Sequence, residues 1–395
     1  MKILMLTPYL PYPLWSGGQI RTYNLLKNLA KKHEITLFSF IRDESENHYK
    51  KELLKFCKRV ETFKRRPAWS VFNILLAGFT PFPFLVSIYY SKKLQNAISN
   101  ELKSDSYNLI HAETFYVMPN IPNTSVPILL VEQTIEFLVY QHFVETVFLL
   151  IRMLLSLDVA KIKFWEKYYW KKAHKVVAMS PADKDVMRTE VVGLDVDIVP
   201  NGVDTKEFFK VTRNKKIKNI ILFVGNFKWL QNKEAVILLV DKIFPRIKQR
   251  IDEAILWIVG RYPSSQIRNY QSNSIKVSED IEDIKVAYAE SNVLLAPIYG
   301  PGGTRYKILE AMASGLPVVT TSRGIEGLNA KNGRDVLVCD DPDSLADSTV
   351  SILTNENLAG RLGQNGKQLV VSHYGWKSIS DKLDILYEEV GKKDD

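Results

Sequence analysis

Short apolar runs alternate with amphipathic stretches in the first half of the chain. An apolar run at 3–6 ends in a loop rich in proline and glycine, and an amphipathic stretch at 20–30 and a second apolar run at 35–40 follow. Strand, loop, helix and strand in this order is the pattern of a parallel sheet. Further apolar runs continue it at 109–110, 127–131 and 176–179. The pattern predicts a doubly wound α/β unit over roughly the first 195 residues.

The second half of the chain repeats this alternation. Apolar runs that we expect to form strands lie at 220–224, 254–259, 293–296 and 317–320. Amphipathic stretches that we expect to form helices lie at 235–240, 306–313 and 379–390. A polar segment with five lysines, 205–218, lies near the boundary between the halves. The chain therefore reads as two similar α/β domains in tandem, and ligands of such folds bind outside the carboxyl ends of the strands.

Composition and charge narrow the class of protein. The 395 residues are 46% apolar and 25% charged, which is typical of a soluble globular protein. Cys57 and Cys339 are far apart and lack metal-ligand spacing, so we expect neither a disulfide framework nor a metal site. The formal net charge is +9, of which residues 1–200 carry +7 (26 Lys/Arg less 19 Asp/Glu). The basic excess belongs to the first half.

Two apolar stretches of the first half raise the question of a membrane span. The stretch 67–91 contains no charged residue, but Pro81 and Pro83 would break a spanning helix in its middle. The stretch 135–157 carries three charges and is expected to form one amphipathic helix. The apolar run 3–6 is too short for a signal peptide. We therefore expect a cytoplasmic protein.

A glycine-rich loop after the predicted strand 293–296 is the most informative segment. Gly300, Gly302 and Gly303 precede the predicted helix 306–313. Glycines let the backbone approach a ligand closely, and a helix N-terminus attracts anions. The loop is therefore a candidate phosphate site.

The charges that follow the loop fit this hypothesis. Arg305 and Lys307 lie at the start of the predicted helix, where cations oppose the helix dipole unless an anion binds there. Glu310 lies one turn further and offers a carboxylate to sugar hydroxyls. The alternative is a glycine loop with ordinary surface charges, and the residues alone leave both open.

The same segment resembles a known family. Residues 307–319, KILEAMASGLPVV, are similar to the nucleotide-sugar segment of the retaining glycosyltransferases of family four, which have the GT-B fold. Further matches follow in the family's order, covering about half of the chain well and the middle of the first domain weakly. They are Gly17-Gly18, PNGVD at 200–204, FVGN at 223–226 and WIVG at 257–260.

The resemblance implies an architecture and an activity. It implies an N-terminal acceptor-side domain at 1–198, a nucleotide-sugar-binding domain at 199–373, and a C-terminal helix at 374–395 that crosses back to the first domain. The two Rossmann-like domains would face a central cleft. Such enzymes transfer a sugar from a nucleoside diphosphate, UDP or GDP, with retention of configuration. The nucleotide sugar is a co-substrate, and neither a cofactor nor a metal is required.

The resemblance also assigns residues to the site. Those expected to bind the donor are Gly17, Gly18, Gly225, Lys228, Gly302, Gly303, Thr304, Arg305, Lys307 and Glu310. Arg305 and Lys307 would also stabilise the charge that develops on the departing diphosphate. Glu310 would bind the ribose hydroxyls.

Two departures from the family pattern affect these assignments. The family's glutamate eight positions before the ribose-binding one is replaced by Gly302, so its role near the donor sugar cannot be transferred. The usual arginine after the strand-turn glycine is Asn226, and the usual lysine falls near Asn232-Lys233. Lys228 or Lys233 is expected to substitute.

The acceptor side offers carboxylates but no clear general base. In 110–113, Ile-His-Ala-Glu, the family often has a second histidine where this chain has Glu113. Glu113 is the catalytic candidate, as proton acceptor or as a group that orients the sugar; the alternative is a surface ion pair. Glu132 is a second candidate, and Glu136 is expected to cap a helix or face solvent. A retaining front-face mechanism needs no base, because the leaving phosphate can take the acceptor proton.

The basic excess suggests a partner for the first domain. Seven cations at 51–66 directly precede the uncharged, aromatic run 67–91. Cations beside aromatic residues suit an anionic membrane surface, which would admit a lipid-linked acceptor. The alternative is a solvated helix followed by a pair of core helices. No nucleic-acid motif accompanies the basic charge, so we expect no nucleic-acid partner.

The predicted function is sugar transfer to a glycan or lipid-linked acceptor in polysaccharide or glycoconjugate synthesis. One alternative is the same transfer onto a soluble or protein acceptor. Another is a catalytically silent GT-B subunit that binds nucleotide sugar and regulates a partner, because a fold does not fix a function.

Overall fold

Two parallel sheets organise the protein, one in each of two units. The computed structural model describes residues 1–213, 219–300 and 304–392. The chain divides into Met1–Pro200 with Lys377–Asp395, and Asn201–Trp376. The predicted glycines 302 and 303 and three of the five lysines of 205–218 lie outside the described residues.

The first unit contains a seven-stranded parallel sheet with the order β3-β2-β1-β4-β5-β6-β7. Its strands are β1 (Lys2–Thr7), β2 (Glu34–Ile41), β3 (Arg59–Lys64), β4 (Leu109–Glu113), β5 (Ile128–Val131), β6 (Lys175–Ala178) and β7 (Val196–Ile198). The central strands are covered on both faces, as parallel strands require, and Ile3, Leu4 and Leu6 of β1 are fully buried. Their continuous apolar sequence is the consequence of that double burial.

Eight helices follow the strands of this sheet in chain order. They are α1 (Gly17–Leu29), α2 (Lys50–Leu53), α3 (Val71–Phe79), α4 (Phe84–Tyr89), α5 (Lys92–Ser104), α6 (Glu136–Glu145), α7 (Leu149–Lys172) and α8 (Pro181–Glu190). Two 3-10 turns, Glu44–Tyr49 and Phe115–Asn120, complete the connections. Serine side chains cap α1, α5 and α8 by accepting a hydrogen bond from a backbone N–H of the first turn. Such caps typically contribute about 1 kcal/mol each, which explains where these helices begin.

The second unit contains a six-stranded parallel sheet with the order β10-β9-β8-β11-β12-β13. Its strands are β8 (Ile220–Asn226), β9 (Ile255–Arg261), β10 (Ile275–Glu279), β11 (Val293–Ala296), β12 (Val318–Thr320) and β13 (Leu337–Val338). Its helices are α9 (Thr205–Phe209), α10 (Leu230–Leu238), α11 (Phe244–Arg250), α12 (Ser265–Arg268), α13 (Ile284–Glu290), α14 (Tyr306–Ala313), α15 (Pro342–Thr354) and α16 (Glu356–His373). A π-helical turn, Leu239–Ile243, joins α10 to α11.

The last helix, α17 (Trp376–Gly391), belongs to the first unit from Lys377 onward. Two of its side chains contact that unit directly. Asp384 Oδ1 lies 2.6 Å from Nε2 of His33, and the Tyr387 hydroxyl lies 2.5 Å from Nδ1 of His111. Both contacts are buried, and they attach α17 to β4 and to the residue before β2.

The structure corrects two expectations for the first half. The stretch 135–157 is not one helix: α6 ends at Glu145 and α7 begins at Leu149, because Thr146 turns back to the carbonyl of Phe143 through both its N–H and its hydroxyl. The segment 51–66 is not one solvated helix either, since it contains only the end of α2 and then the edge strand β3.

The pair of core helices expected in 67–91 is half correct. α4 is buried, whereas α3 exposes most of its apolar side chains. Over the described residues, every helix is too short or too polar to cross a membrane.

Candidate active site

The strand orders place polar groups of each unit at a topological switch point. In the second sheet the first strand, β8, lies between β9 and β11, so the connections leave in opposite directions after β8 and β11. Crevices at such points bind ligands at the carboxyl ends of the strands. The predicted donor residues follow β8 and β11, and those of the first unit follow β1 and β4 in the same relation.

The loop before α14 is fixed at both of its described ends. Arg305, the residue before α14, donates from Nη2 to the carbonyl of Gly300 at 2.8 Å. Asn201 donates from Nδ2 to the carbonyl of Thr304 at 3.1 Å and accepts from the hydroxyl of Tyr306 at 3.1 Å. Asn201 belongs to the PNGVD segment, so that segment holds the start of α14. Sequence reasoning assigned no role to Asn201.

Lys307 lies in a partly buried pocket of the second unit. Its Nζ donates to Oδ1 of Asn232 at 2.7 Å and lies 4.3 Å from the centre of the Phe223 ring. Burial, together with the charge of Arg305, lowers the pKa of Lys307 to about 7. A cation that is destabilised in this way gains from an anion bound beside it, as the phosphate hypothesis requires.

Glu310 is held one turn further along α14. The fully buried Tyr288 donates its hydroxyl to Oε2 of Glu310 at 2.8 Å. Burial raises the pKa of Glu310 to about 7, against the hydrogen bond from Tyr288 and the charge of Lys307. Among the contacts of the described residues, Tyr288 engages Oε2 and leaves Oε1 to accept hydrogen bonds, which suits a ligand with vicinal hydroxyls.

The helix after β8, α10, carries the side chain that contacts Lys307. Asn232 of α10 donates from Nδ2 to the carbonyl of Asn226 at 2.8 Å while it accepts from Lys307. Gly225 packs here, since a Cβ on it would come 3.1 Å from the Asn232 side chain. Asn232 stands where the family has a lysine, and that departure was the signal that pointed to it. The family's usual arginine is absent at Asn226, and the amide of Asn232 contacts Lys307.

Lys228 and Lys233 take different positions from the one expected of a substitute. Lys228 is exposed, and its Nζ lies 3.6 Å from the centre of the Tyr262 ring. Lys233 lies on α10 and is partly exposed. The contacts of the described residues bring Lys307, and neither of these lysines, onto Asn232.

The predicted acceptor-side carboxylate, Glu113, lies at the end of β4 and is fully buried. Its Oε1 lies 3.2 Å from Nε2 of His111, and its Oε2 accepts from Nε2 of Gln133 at 2.7 Å. Burial alone would raise the pKa of Glu113, but the hydrogen bond from His111 and the charges of His111 and Arg21 hold it below its ordinary value. A carboxylate with a lowered pKa and two engaged oxygens is a weak base and a strong anchor.

The glycine loop after β1 packs against this network. The hydroxyl of Tyr9 donates to Oε1 of Gln133 at 2.9 Å, so the chain of contacts runs from Tyr9 to Glu113. A Cβ on Gly18 would lie 2.1 Å from the Tyr9 hydroxyl oxygen. Gly17 begins α1 directly beside it. Gly18 is therefore required by close packing on Tyr9.

The backbone after Glu113 is strained. Thr114 has φ 72° and ψ 148°, a region that β-branched residues rarely adopt. Its N–H donates to the carbonyl of Val131 at 2.8 Å, which keeps the loop tied to β5. Strain of this kind, of order 1–3 kcal/mol, is concentrated at functional loops.

A second group of buried carboxylates follows β5. Oε1 of Glu132 accepts from Nε1 of Trp170 at 3.0 Å, and the two oxygens of Glu166 accept from the N–H groups of Glu136 and Phe137 at 2.8 and 3.1 Å. Burial and the charge of Glu166 raise the pKa of Glu132 well above the ordinary value, and burial and the charge of Glu136 raise the pKa of Glu166 in the same way. Burial raises the pKa of Glu136 to about 7. Glu136 was expected to cap a helix or face solvent; it is the first residue of α6 and is partly buried.

Comparison with known proteins identifies the class. The description "Glycosyltransferase Family 4" fits residues 15–207, and "Glycosyl transferases group 1" fits residues 218–355. Two doubly wound parallel sheets in tandem define the GT-B fold. The chain belongs to the glycosyltransferases of family 4.

Similar sequences and structures agree with this class. An uncharacterized 44.6 kDa protein of the cps region of Klebsiella pneumoniae is 22% identical over 97% of this chain and 98% of its own. Phosphatidyl-myo-inositol mannosyltransferase of Mycobacterium leprae is 26% identical over 51% of this chain and 55% of its own.

Solved structures share the fold at low identity. Sucrose-phosphate synthase of Thermosynechococcus elongatus has a TM-score of 0.73 at 18% identity and covers 98% of this chain and 99% of its own. HepE of Anabaena, solved in complex with UDP and glucose, has a TM-score of 0.64 at 16% identity, with 98% of this chain and 100% of its own covered.

Proposed function

We propose that this protein is a retaining glycosyltransferase that moves a sugar from a UDP- or GDP-sugar to a glycan or lipid-linked acceptor. The observation that carries the proposal is the arrangement at α14, where Arg305, Lys307 and Glu310 follow the switch-point strand β11. The activity would serve polysaccharide or glycoconjugate synthesis. The HepE complex with UDP and glucose supports a nucleotide-sugar donor, and the name of the mycobacterial relative supports a lipid acceptor.

The donor would bind through charge and hydrogen bonding at α14. The diphosphate would lie at the N-terminus of α14, where backbone N–H groups and the guanidinium of Arg305 attract it. Lys307, destabilised as a free cation, would gain its proton when the diphosphate binds. Glu310, oriented by Tyr288, would accept hydrogen bonds from the ribose hydroxyls.

The reaction would use these groups to stabilise the leaving group. The bond from the anomeric carbon to the diphosphate oxygen breaks, and the acceptor oxygen bonds to that carbon on the same face. The acceptor proton passes to an oxygen of the leaving phosphate. Negative charge grows on the diphosphate as this bond breaks, and a preorganised donor at such a position typically lowers the barrier by about 3 kcal/mol. The proposed chemistry therefore requires no metal ion.

Glu113 would act as a positioning residue on the acceptor side. Its two oxygens hold His111 and Gln133, and the lowered pKa makes it a poor proton acceptor. The network would fix the end of β4 and the strained Thr114 that follows it. Of the two roles considered for Glu113, orientation is the one that its surroundings support.

The first unit would contact an anionic membrane surface through residues 51–91, which would bring a lipid-linked acceptor to the enzyme on the cytoplasmic face. The charged part of this surface is weaker than the sequence suggests. Lys55 pairs with Glu52, Lys58 pairs with Glu34, and Arg59 pairs with Glu61 and Glu101. The exposed apolar part of 67–91 carries more of the proposal.

Purified protein tests the function directly. We expect UDP or GDP to raise the melting temperature, because a ligand that binds only the folded state stabilises it. We also expect slow hydrolysis of one UDP- or GDP-sugar in the absence of acceptor. Arg305→Ala and Glu310→Ala should weaken nucleotide binding at least about tenfold, whereas Lys242→Ala, which removes an exposed cation of the same unit, should not. Equal affinity in all three variants would refute the site, and tight binding without hydrolysis or transfer would favour the silent subunit.

A further inference from the structure

Helix α3 is inverted relative to a helix that faces water. Its polar residue Asn73 is fully buried and donates from Nδ2 to the carbonyl of Pro67 at 2.7 Å. Its apolar side chains point outward, each at least half exposed: Val71, Phe72, Ile74, Leu75 and Phe79. A helix on a protein surface normally presents the opposite pattern. Its outward face is therefore built to contact something apolar.

The first half of α7 shows the same inversion. Two of its charged side chains turn inward, whereas Arg152 and Ser156 are exposed. Asp158 accepts from the N–H of Phe84 at 2.8 Å, and Lys161 donates to the carbonyls of Ala77 and Thr80. Outward it exposes a run of aliphatic side chains by more than half: Leu149, Ile151, Met153, Leu154 and Leu157. The sequence pattern does not predict this face, because 135–157 is expected to form an ordinary amphipathic helix.

The two inverted helices adjoin. Lys161, in the middle of α7, reaches the last turn of α3 through the carbonyls of Ala77 and Thr80 at 2.5 and 2.8 Å. We call the outward side chains of Val71–Phe79 and of 149–157 the α3–α7 face. The face contains ten apolar side chains that are each at least half exposed. A monomeric soluble protein usually exposes apolar patches of no more than a few hundred Å², and larger ones mark interaction sites.

The charges around the α3–α7 face identify its partner as lipid. Residues 67–91 carry no charge, and Arg152 is the single charge in 148–157. Cations flank the uncharged run on both sides, with Lys64, Arg65 and Arg66 before it and Lys92 and Lys93 after it. An aliphatic surface with a cationic rim complements acyl chains below phosphate headgroups.

Arg66 contacts both the α3–α7 face and the backbone of α4. Its guanidinium lies 4.8 Å from the centre of the Phe72 ring and donates to the carbonyl of Ser87 at 3.0 Å. Trp69, three residues later, is 85% exposed. Tryptophan and arginine are both typical of the depth where headgroups meet acyl chains.

We infer that the α3–α7 face inserts into the interfacial layer of a phospholipid bilayer, with the aliphatic side chains providing most of the binding and the arginines contacting headgroup phosphates. The inference deepens the proposed function, on which it rests for the lipid-linked acceptor. It differs from a polybasic contact in two respects: α7 takes part, and attraction to anionic lipid is secondary.

Vesicle flotation tests the inference. The wild-type protein is mixed with phosphatidylcholine vesicles, or with vesicles that also contain phosphatidylglycerol, at low and at high salt. Two double variants each place two glutamates on one helix, Phe72→Glu with Leu75→Glu on α3 and Leu154→Glu with Leu157→Glu on α7. Val192→Glu, at a 94% exposed position of the same unit, is the matched control. All five positions are exposed, so melting curves are expected to match the wild type.

We expect the wild type to float with both vesicle types and to retain binding at high salt. Each double variant should bind at least about tenfold more weakly, because glutamate cannot enter the acyl layer, while Val192→Glu should bind like the wild type. No flotation of the wild type, release of the wild type by salt alone, or undiminished binding of the α7 variant would each overturn the inference. So would a dimer in light scattering that the α7 variant dissociates without any lipid binding. UDP and GDP affinity, measured on the same samples, reports the proposed function separately.

Discussion

Nζ of Lys307 donates to Oδ1 of Asn232 at 2.7 Å, and this contact joins the helix after β11 to the helix after β8. Asn232 is itself held by the carbonyl of Asn226, so the position of Lys307 depends on both switch-point strands. The side chain lies over the Phe223 ring, where burial and the charge of Arg305 favour its neutral form against the charge of Glu310. Asn232 is thus a positioning residue for the cation of the donor site.

Removal of this contact should weaken nucleotide binding. We expect Asn232→Ala to lower UDP or GDP affinity about tenfold, since a buried hydrogen bond to a charged group contributes roughly 1.5–3 kcal/mol. Asn232→Asp should lower it further, because its carboxylate would pair with Lys307 and repel the diphosphate. Titration calorimetry measures both, and Asn269→Ala, on an exposed asparagine of the same unit, is the control. Wild-type affinity in both Asn232 variants would show that Lys307 positions itself.

Nucleotide affinity should depend on pH through Lys307. Its pKa of about 7 means that the free protein loses this proton as the pH rises above 7. A bound diphosphate favours the protonated form, so the complex takes up a proton and the affinity falls by up to about tenfold per pH unit above 7. Calorimetry at pH 7 and 8, in two buffers of different ionisation enthalpy, measures the uptake. Lys307→Arg keeps its charge and should remove it; an equal uptake in that variant would assign the proton to another group.

The role of Glu310 can be separated from that of the cations. Glu310→Gln should weaken the binding of UDP or GDP about tenfold, because a carboxylate accepts stronger hydrogen bonds from the ribose hydroxyls than an amide does. Inorganic pyrophosphate has no ribose, so its binding should be unchanged. Competition assays with both ligands measure the difference. A parallel loss of pyrophosphate binding would show that Glu310 acts on the diphosphate site as a whole.

Whether a strand could be predicted from the sequence depends on its place in the sheet. The inner strands, such as β1 and β8, are covered on both faces and therefore read as continuous apolar runs. Four strands were not predicted: β3, β7, β10 and β13. Each lies at the edge of its sheet, where one side is open and charged residues are tolerated. The sequence of β3, RVETFK, shows why a buried-strand pattern could not reveal it.

In the candidate site, the residues that could be predicted lie in one segment, and those that could not make contacts with distant parts of the chain. Arg305, Lys307 and Glu310 could be predicted because one short segment contains them all. Asn201 and Tyr288 could not be given their roles, since each contacts α14 from a distant part of the chain. Hydropathy likewise cannot tell the buried α4 from the exposed α3, because both are apolar and only the packing of their neighbours decides which is covered.

A methyl group on Gly18 should disturb the acceptor-side network. Its Cβ would lie 2.1 Å from the Tyr9 hydroxyl, so Gly18→Ala must displace Tyr9 or α1, and overpacking of this kind costs about 1–3 kcal/mol. Gly78→Ala is the matched control, because Gly78 lies in α3 of the same unit and a Cβ there meets no atom within 4 Å. Chemical denaturation should show a loss for Gly18→Ala and none for Gly78→Ala. Equal stability of the two would mean that Tyr9 moves aside freely.

The buried carboxyl groups after β5 should make the stability of the first unit fall as the pH rises. Burial and the charge of Glu166 raise the pKa of Glu132, so the folded state keeps a proton that the unfolded chain loses above the ordinary value near 4.5. The folded state then binds more protons than the unfolded one, and the free energy of unfolding decreases with increasing pH. Glu132→Gln keeps an acceptor for Trp170 and removes the charge. The change in melting temperature that Glu132→Gln causes should be roughly 2–4 °C more positive at pH 8 than at pH 5. This difference corresponds to about 1 kcal/mol. Glu145→Gln, on an exposed residue of α6, is the control. The amide leaves the N–H of Phe115, which donates to Oε2 of Glu132 at 3.3 Å, without that acceptor at both pH values, so only the difference between the two pH values is informative. The same effect at both would mean that Glu132 does not change its protonation between them.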